Sequence, residues 1–181
     1  MGRTPTSAPD PQVRLSNFHI ELVSEHLHHY EVRTTWTGNT GQGTSNYRAY
    51  KRDHEITADG KTAPIAGSSD AAFRGDPTRY NPEELLVGSL STCHMLWILH
   101  LCADAGIMVV EYTDHASGTM QVRANGGGRF TEVTLRPQMI VTDPARIQDA
   151  IALHKRAHDL CFVANSVNFT VQCSPSVSAR T

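Results

Sequence analysis

The stretch NPEELLVGSLSTCHMLWILHLCADAGI, Asn81 to Ile107, decides how this chain folds. Asn81 can cap a helix, Pro82 suits its first position, and Glu84 stands three residues after the cap, where it can close a capping box. The pattern predicts a helix running to about Asp104 and stopped by Gly106, a residue that tolerates the left-handed conformation at a helix end. Leu85, Leu86, Leu90, Leu96, Trp97, Ile98, Leu99 and Leu101 cover most of its circumference. A helix apolar nearly all round belongs in the centre of a structure or in an oligomer interface. Gly88, Ser89, Ser91 and Thr92 are small enough to let another backbone approach.

Outward from this helix the pattern changes to strands. His28 to Trp36 and Tyr47 to Ile56 read as two strands around the GNTGQG turn at Gly38 to Gly43, and a short strand is expected near Pro64 to Ala66. On the other side, Ile107 to Val122 and Phe130 to Val141 read as two strands joined by the NGGG turn at Asn125 to Gly128. Asp143–Pro144 opens a second helix to about Leu160, and Val167 to Val177 is a last strand. The glycine cluster at 38–43 lacks the lysine and following helix of a phosphate loop. Residues 1–23 open on MGRTPTSAPDPQ and read as a partly disordered extension, so one domain is expected over 24–181. The fold class is α+β, a mostly antiparallel sheet with two principal helices against it.

Composition narrows the function. Apolar content of 39% and charged content of 19% fit an ordinary globular core. A formal net charge of −2 supplies no basic field, so neither nucleic acid nor an anionic membrane is an expected partner. Ser89, Ser91, Thr92, Cys93, His94 and His100 interrupt the most apolar stretch and argue for a helix buried in protein rather than lipid. The first 23 residues carry no secretory pattern, and a cytoplasmic location is expected.

Four cysteines, Cys93, Cys102, Cys161 and Cys173, are widely spaced with no CxxC pair. Cys93 lies about three turns inside its helix, too deep for the helix dipole to activate it. Cys161 ends the second helix and could face the middle of the first. Two thiols so placed can pass through a sulfenate on one and a disulfide with the other. A metal site is the competing reading. His154, His158 and Cys161 fall at i, i+4 and i+7 with Cys93–His94 as further donors, and imidazole with thiolate suits zinc. His94 points about 100° from Cys93 on an ideal helix, away from any general-base role. Nothing beside Cys102 or Cys173 implies a partner, and both read as inert thiols.

NPEELLVGSLSTCH (Asn81 to His94), AGI (Ala105 to Ile107) and AHDLCFVANSV (Ala157 to Val167) together resemble the OsmC/Ohr family of organic hydroperoxide reductases, over roughly residues 28–177. The resemblance implies an intertwined homodimer with a central buried helix, a Cys-based peroxidase acting on organic hydroperoxides with a dithiol reductant, and no metal or other cofactor. It implies Cys93 as the thiol that attacks the peroxide and Cys161 as its resolving partner. Glu83 matches the acidic residue that orients an arginine over the thiolate. Arg48, Arg74 and Arg79 are candidates for that arginine, with Arg74 favoured. Glu83 stands ten residues before Cys93, about 15 Å of helical rise, so it cannot reach the thiol along its own helix. An OsmC-fold redox sensor or a binder of hydrophobic ligands is the alternative use of the same fold.

Overall fold

Asn81 starts the long helix as the capping pattern requires. Its side chain accepts a hydrogen bond from the Glu84 amide at 2.8 Å, and the Glu84 carboxylate accepts one from the Asn81 amide at 3.1 Å. In the computed structural model, which describes residues 27–180, helix α1 spans Pro82–Asp104 and Gly106 takes a φ of 66° just past its end. By length and composition α1 would suffice to cross a membrane. It is instead bedded on protein along one stripe, Leu90, His94, Ile98 and Cys102, at the four-residue spacing of one helical face. The all-round apolar surface is therefore only partly buried within the chain, and Leu96 is 64% exposed.

Three stretches expected as single strands are each divided in two. Ile107 to Val122 becomes β4 (Val109–Asp114) and β5 (Ser117–Val122); Phe130 to Val141 becomes β6 (Gly128–Leu135) and β7 (Pro137–Val141). The last stretch becomes β8 (Thr170–Cys173) and β9 (Ser176–Ala179). The breaks lie at one level, giving two three-stranded sheets ordered β4-β7-β9 and β5-β6-β8. The cause is local. At the break the Asp114 carboxylate takes the Arg136 amide at 2.7 Å, and Pro137 and Pro175 have no N–H to donate. The same carboxylate accepts the Ser91 hydroxyl at 2.6 Å, which ties the break to α1.

The antiparallel expectation holds for β4 with β7 and β5 with β6, whereas β8 and β9 join β6 and β7 in parallel. A parallel return needs a crossover, and helix α2 (Ile147–Leu160), entered through a 3-10 turn capped by Asp143, supplies it. Two core clusters result. The second half of α1 packs with α2 and the first sheet through Ile98, Cys102, Ile107, Met139, Val141, Ala150 and Ala157. Its first half inserts Leu90 against Val133 and Leu135 of the second sheet.

The first two N-terminal strands are shorter than their patterns suggested and the third stands where expected: β1 (Arg33–Trp36), β2 (His54–Thr57) and β3 (Ile65–Gly67) form an antiparallel sheet in that order. The loop between β1 and β2 consumes the rest, pinned by the Trp36 indole donating to Lys51 O at 2.8 Å and by Asn39 accepting from Gly41 and Gly43. None of this sheet's apolar side chains joins either core cluster. Residues 1–23 lie outside the described residues.

Candidate active site

Cys93 and Cys161 meet. Helix α2 ends at Leu160, and Cys161 caps it with an extended backbone (φ −67°, ψ 107°) that turns its side chain toward α1. The amide of Ala164, in the following 3-10 turn, donates to Cys161 Sγ at 3.5 Å and fixes the sulfur. Both cysteines are free thiols, Cys161 buried and Cys93 half-buried. Burial, together with the neighbouring Cys93 thiol, pushes the Cys161 thiol up to about 11. Cys93 borders a cleft of about 450 Å3 lined by Ser89, Thr92, Leu96, Trp97, Phe162 and Val163 with it. Trp97 and Phe162 meet edge to face at 5.5 Å and give that cleft an aromatic wall.

The raised Cys161 value has a consequence for stability. A thiol that holds its proton more tightly in the folded chain stabilises the fold fully below its unfolded value of about 8.5, and that contribution is lost as pH climbs toward 11. Urea midpoints of the wild type should therefore fall between about pH 8.5 and 10.5 more steeply than those of Cys161→Ser. The difference should approach one proton, about 1.4 kcal/mol per pH unit. Equal slopes would mean that Cys161 titrates as an ordinary thiol.

Glu83 does not share the Cys93 cleft within one chain. It borders a separate groove of about 580 Å3, beside Tyr80, Glu84, Ser91 and Asp114. The arginines stand apart as well. Arg74 is exposed, at a φ of 65°, on a tight loop in which Asp70 caps a 3-10 turn. A Cβ at Gly75 would lie 1.5 Å from Ser69 O, so only glycine lets this loop close and present Arg74 outward. Its guanidinium lies 6.0 Å from the Tyr47 ring. Arg79 lies 3.9 Å from Asp76, and Arg48 is exposed.

The competing zinc arrangement of His154, His158 and Cys161 does not form among the described residues, because Cys161 is turned to Cys93 while His154 is turned to His94. His154 Nδ1 lies 2.9 Å from His94 Nε2 in the interior. Desolvation lowers both imidazoles to about 4, so both are neutral at physiological pH. His94 thus faces away from Cys93, as the helical angle requires. Sequence reasoning missed Cys173, whose Sγ lies 3.5 Å from His94 Nε2. No local pattern announces that contact, since it joins a strand end to a helix 79 residues earlier.

A family model described as OsmC-like protein matches residues 75–176. An OsmC-like protein of unknown function from Vibrio cholerae is 30% identical, covering 82% of this chain and 99% of its own, with a TM-score of 0.73. An organic hydroperoxide resistance protein from Elizabethkingia anophelis has a similar fold at 21% identity and a TM-score of 0.58, over 87% of this chain and all of its own. The uncharacterized protein YmaD of Bacillus subtilis is 20% identical over 157 residues, 84% of this chain and 95% of its own.

Proposed function

Because the chain belongs to the OsmC-like protein family, and because two of its thiols meet beside an apolar cleft, we propose that it is a thiol-dependent peroxidase for organic hydroperoxides. One observation carries the reading: the Cys161 and Cys93 thiols are neighbours, close enough for Cys93 to bear on the Cys161 proton, although 68 residues separate them. A peroxide whose organic group rests on Leu96, Trp97, Phe162 and Val163 brings its O–O bond to Cys93. The Cys93 thiolate attacks one oxygen, the O–O bond breaks, and the leaving alkoxide takes up a proton to depart as an alcohol. Cys93 is then a sulfenic acid. The Cys161 thiol gives up its proton as its sulfur attacks the Cys93 sulfur, the S–S bond forms, the S–O bond breaks, and that proton leaves with the hydroxyl as water. An external dithiol reduces the disulfide by exchange and is itself oxidised. The reaction calls on no metal and suits the cytoplasm, where thiols are kept reduced.

The activating pair completes the proposal. Glu83 and Arg74 do not reach Cys93 in one chain, and the uncovered apolar side chains of the N-terminal sheet call for a partner surface. In an intertwined homodimer, Glu83 would hold Arg74 over the partner's thiolate through a bidentate pair. A mixed dimer carrying Cys93→Ser in one subunit and Glu83→Gln in the other should then recover about half of wild-type activity, since one of its two sites is whole. Recovery of none would mean that each site is built within one subunit.

A further inference from the structure

The side of α1 turned away from Cys93 carries a second constellation. His94 of α1, His154 of α2 and Cys173 at the end of β8 place their ligating atoms within 4.8 Å of one another. His94 Nε2 lies 2.9 Å from His154 Nδ1 and 3.5 Å from Cys173 Sγ. The imidazoles are 0% and 2% exposed, and their near-parallel rings meet end to end, with centroids 5.2 Å apart. Two neutral imidazoles so arranged share one proton between two lone pairs and leave their outer nitrogens over. Those nitrogens, His94 Nδ1 and His154 Nε2, are buried without a partner among the described residues, as is His158 Nδ1 one turn beyond His154.

We propose that His94, His154 and Cys173 bind a zinc ion that ties α1, α2 and β8 together. Tetrahedral zinc, with nitrogen at about 2.0–2.1 Å and sulfur at about 2.3 Å, spaces its ligands by about 3.3 to 3.6 Å. The observed 3.5 Å fits, and the 2.9 Å pair opens by about half an ångström when the ion replaces the shared proton. Ligation takes neutral imidazoles, and the Cys173 thiol gives its proton to solvent as the Zn–S bond forms. Access and the fourth position come from a pocket of about 310 Å3 lined by Ile151, His154, Lys155, His158, Asp159 and Cys173. His158 or a water completes the shell. The ion sits on the opposite side of α1 from the thiol pair and takes no part in peroxide chemistry.

The test is metal titration of the full chain after stripping with a chelator. Cobalt(II), a spectroscopic stand-in for zinc, should bind one per chain and give thiolate-to-cobalt absorption in the near ultraviolet. Cys173→Ser should abolish that band and weaken zinc binding by ~100-fold or more, since loss of even an outer-shell partner costs about 10–100-fold. Cys93→Ser and Cys161→Ser should keep both. In the wild type, zinc should shield one cysteine from alkylation, and peptide mapping should identify it as Cys173; this reading does not depend on any variant folding. Sub-stoichiometric cobalt, or protection that falls on Cys93 or Cys161, overturns the assignment.

Discussion

Replacing Cys93 by serine is expected to abolish hydroperoxide consumption, by at least ~1,000-fold, because a serine hydroxyl beside the same cleft has no ionised form to offer near neutral pH. Replacing Cys161 should fail differently. The first attack still occurs in Cys161→Ser, so one equivalent of peroxide is consumed and its oxygen stays on Cys93 as a sulfenic acid. Turnover with a dithiol should then slow, since no internal sulfur expels that oxygen as water. Intact mass after one equivalent of organic hydroperoxide separates the cases: two hydrogens lost in wild type, one oxygen gained in Cys161→Ser, and no change in Cys93→Ser. A wild-type oxygen adduct would remove Cys161 from the resolving role. Undiminished activity in Cys93→Ser would sink the peroxidase reading. The dithiol matters in this assay, because a monothiol leaves a mixed disulfide that must be attacked again.

The largest loss of stability from one side chain is expected at Leu90→Ala. Leu90 is fully buried, and it is the buried α1 residue that meets Val133 and Leu135, with Val87, Phe130, Phe169 and Val171 around them. Truncation leaves a cavity among parts of two strands and a helix that cannot all close in. The cost should be about 3 kcal/mol, within the range for buried leucine truncations, and about 6–12 °C in thermal midpoint for a chain of this size. Leu96→Ala, on the same helix but 64% exposed at the thiol cleft, should cost little stability and raise KM for hydrophobic peroxides. A Leu90→Ala midpoint within a degree of wild type would mean that the second cluster does not hold the sheet to the helix.

Leu90 and Leu96 also mark the limit of reading this chain by eye. The helix itself was plain, down to its cap, because Asn81, Pro82, Glu84 and Gly106 act through local backbone groups. Which of its leucines face inward was not, because an all-round apolar helix carries no period to separate them. The thiol pair was half visible. The segments around Cys93 and Cys161 carry the family pattern, but only the turn of the chain at Cys161 brings the two sulfurs together. The strand breaks escaped because their cause is one carboxylate, Asp114, taking an amide 22 residues away. Cys173 escaped for the same kind of reason, being made interesting by a histidine that the sequence sets far from it.

The sheet β1-β2-β3 leaves Trp36 42% and Ile65 44% exposed and owns no buried apolar side chain of its own. In the proposed homodimer the other copy covers it. Mass action then enters the folding equilibrium: a second chain that binds only the folded state raises its apparent stability with concentration. Dilution becomes a denaturant. The N-terminal strands should be the first amides to exchange their hydrogens as the protein is diluted, well before the strands that flank α1.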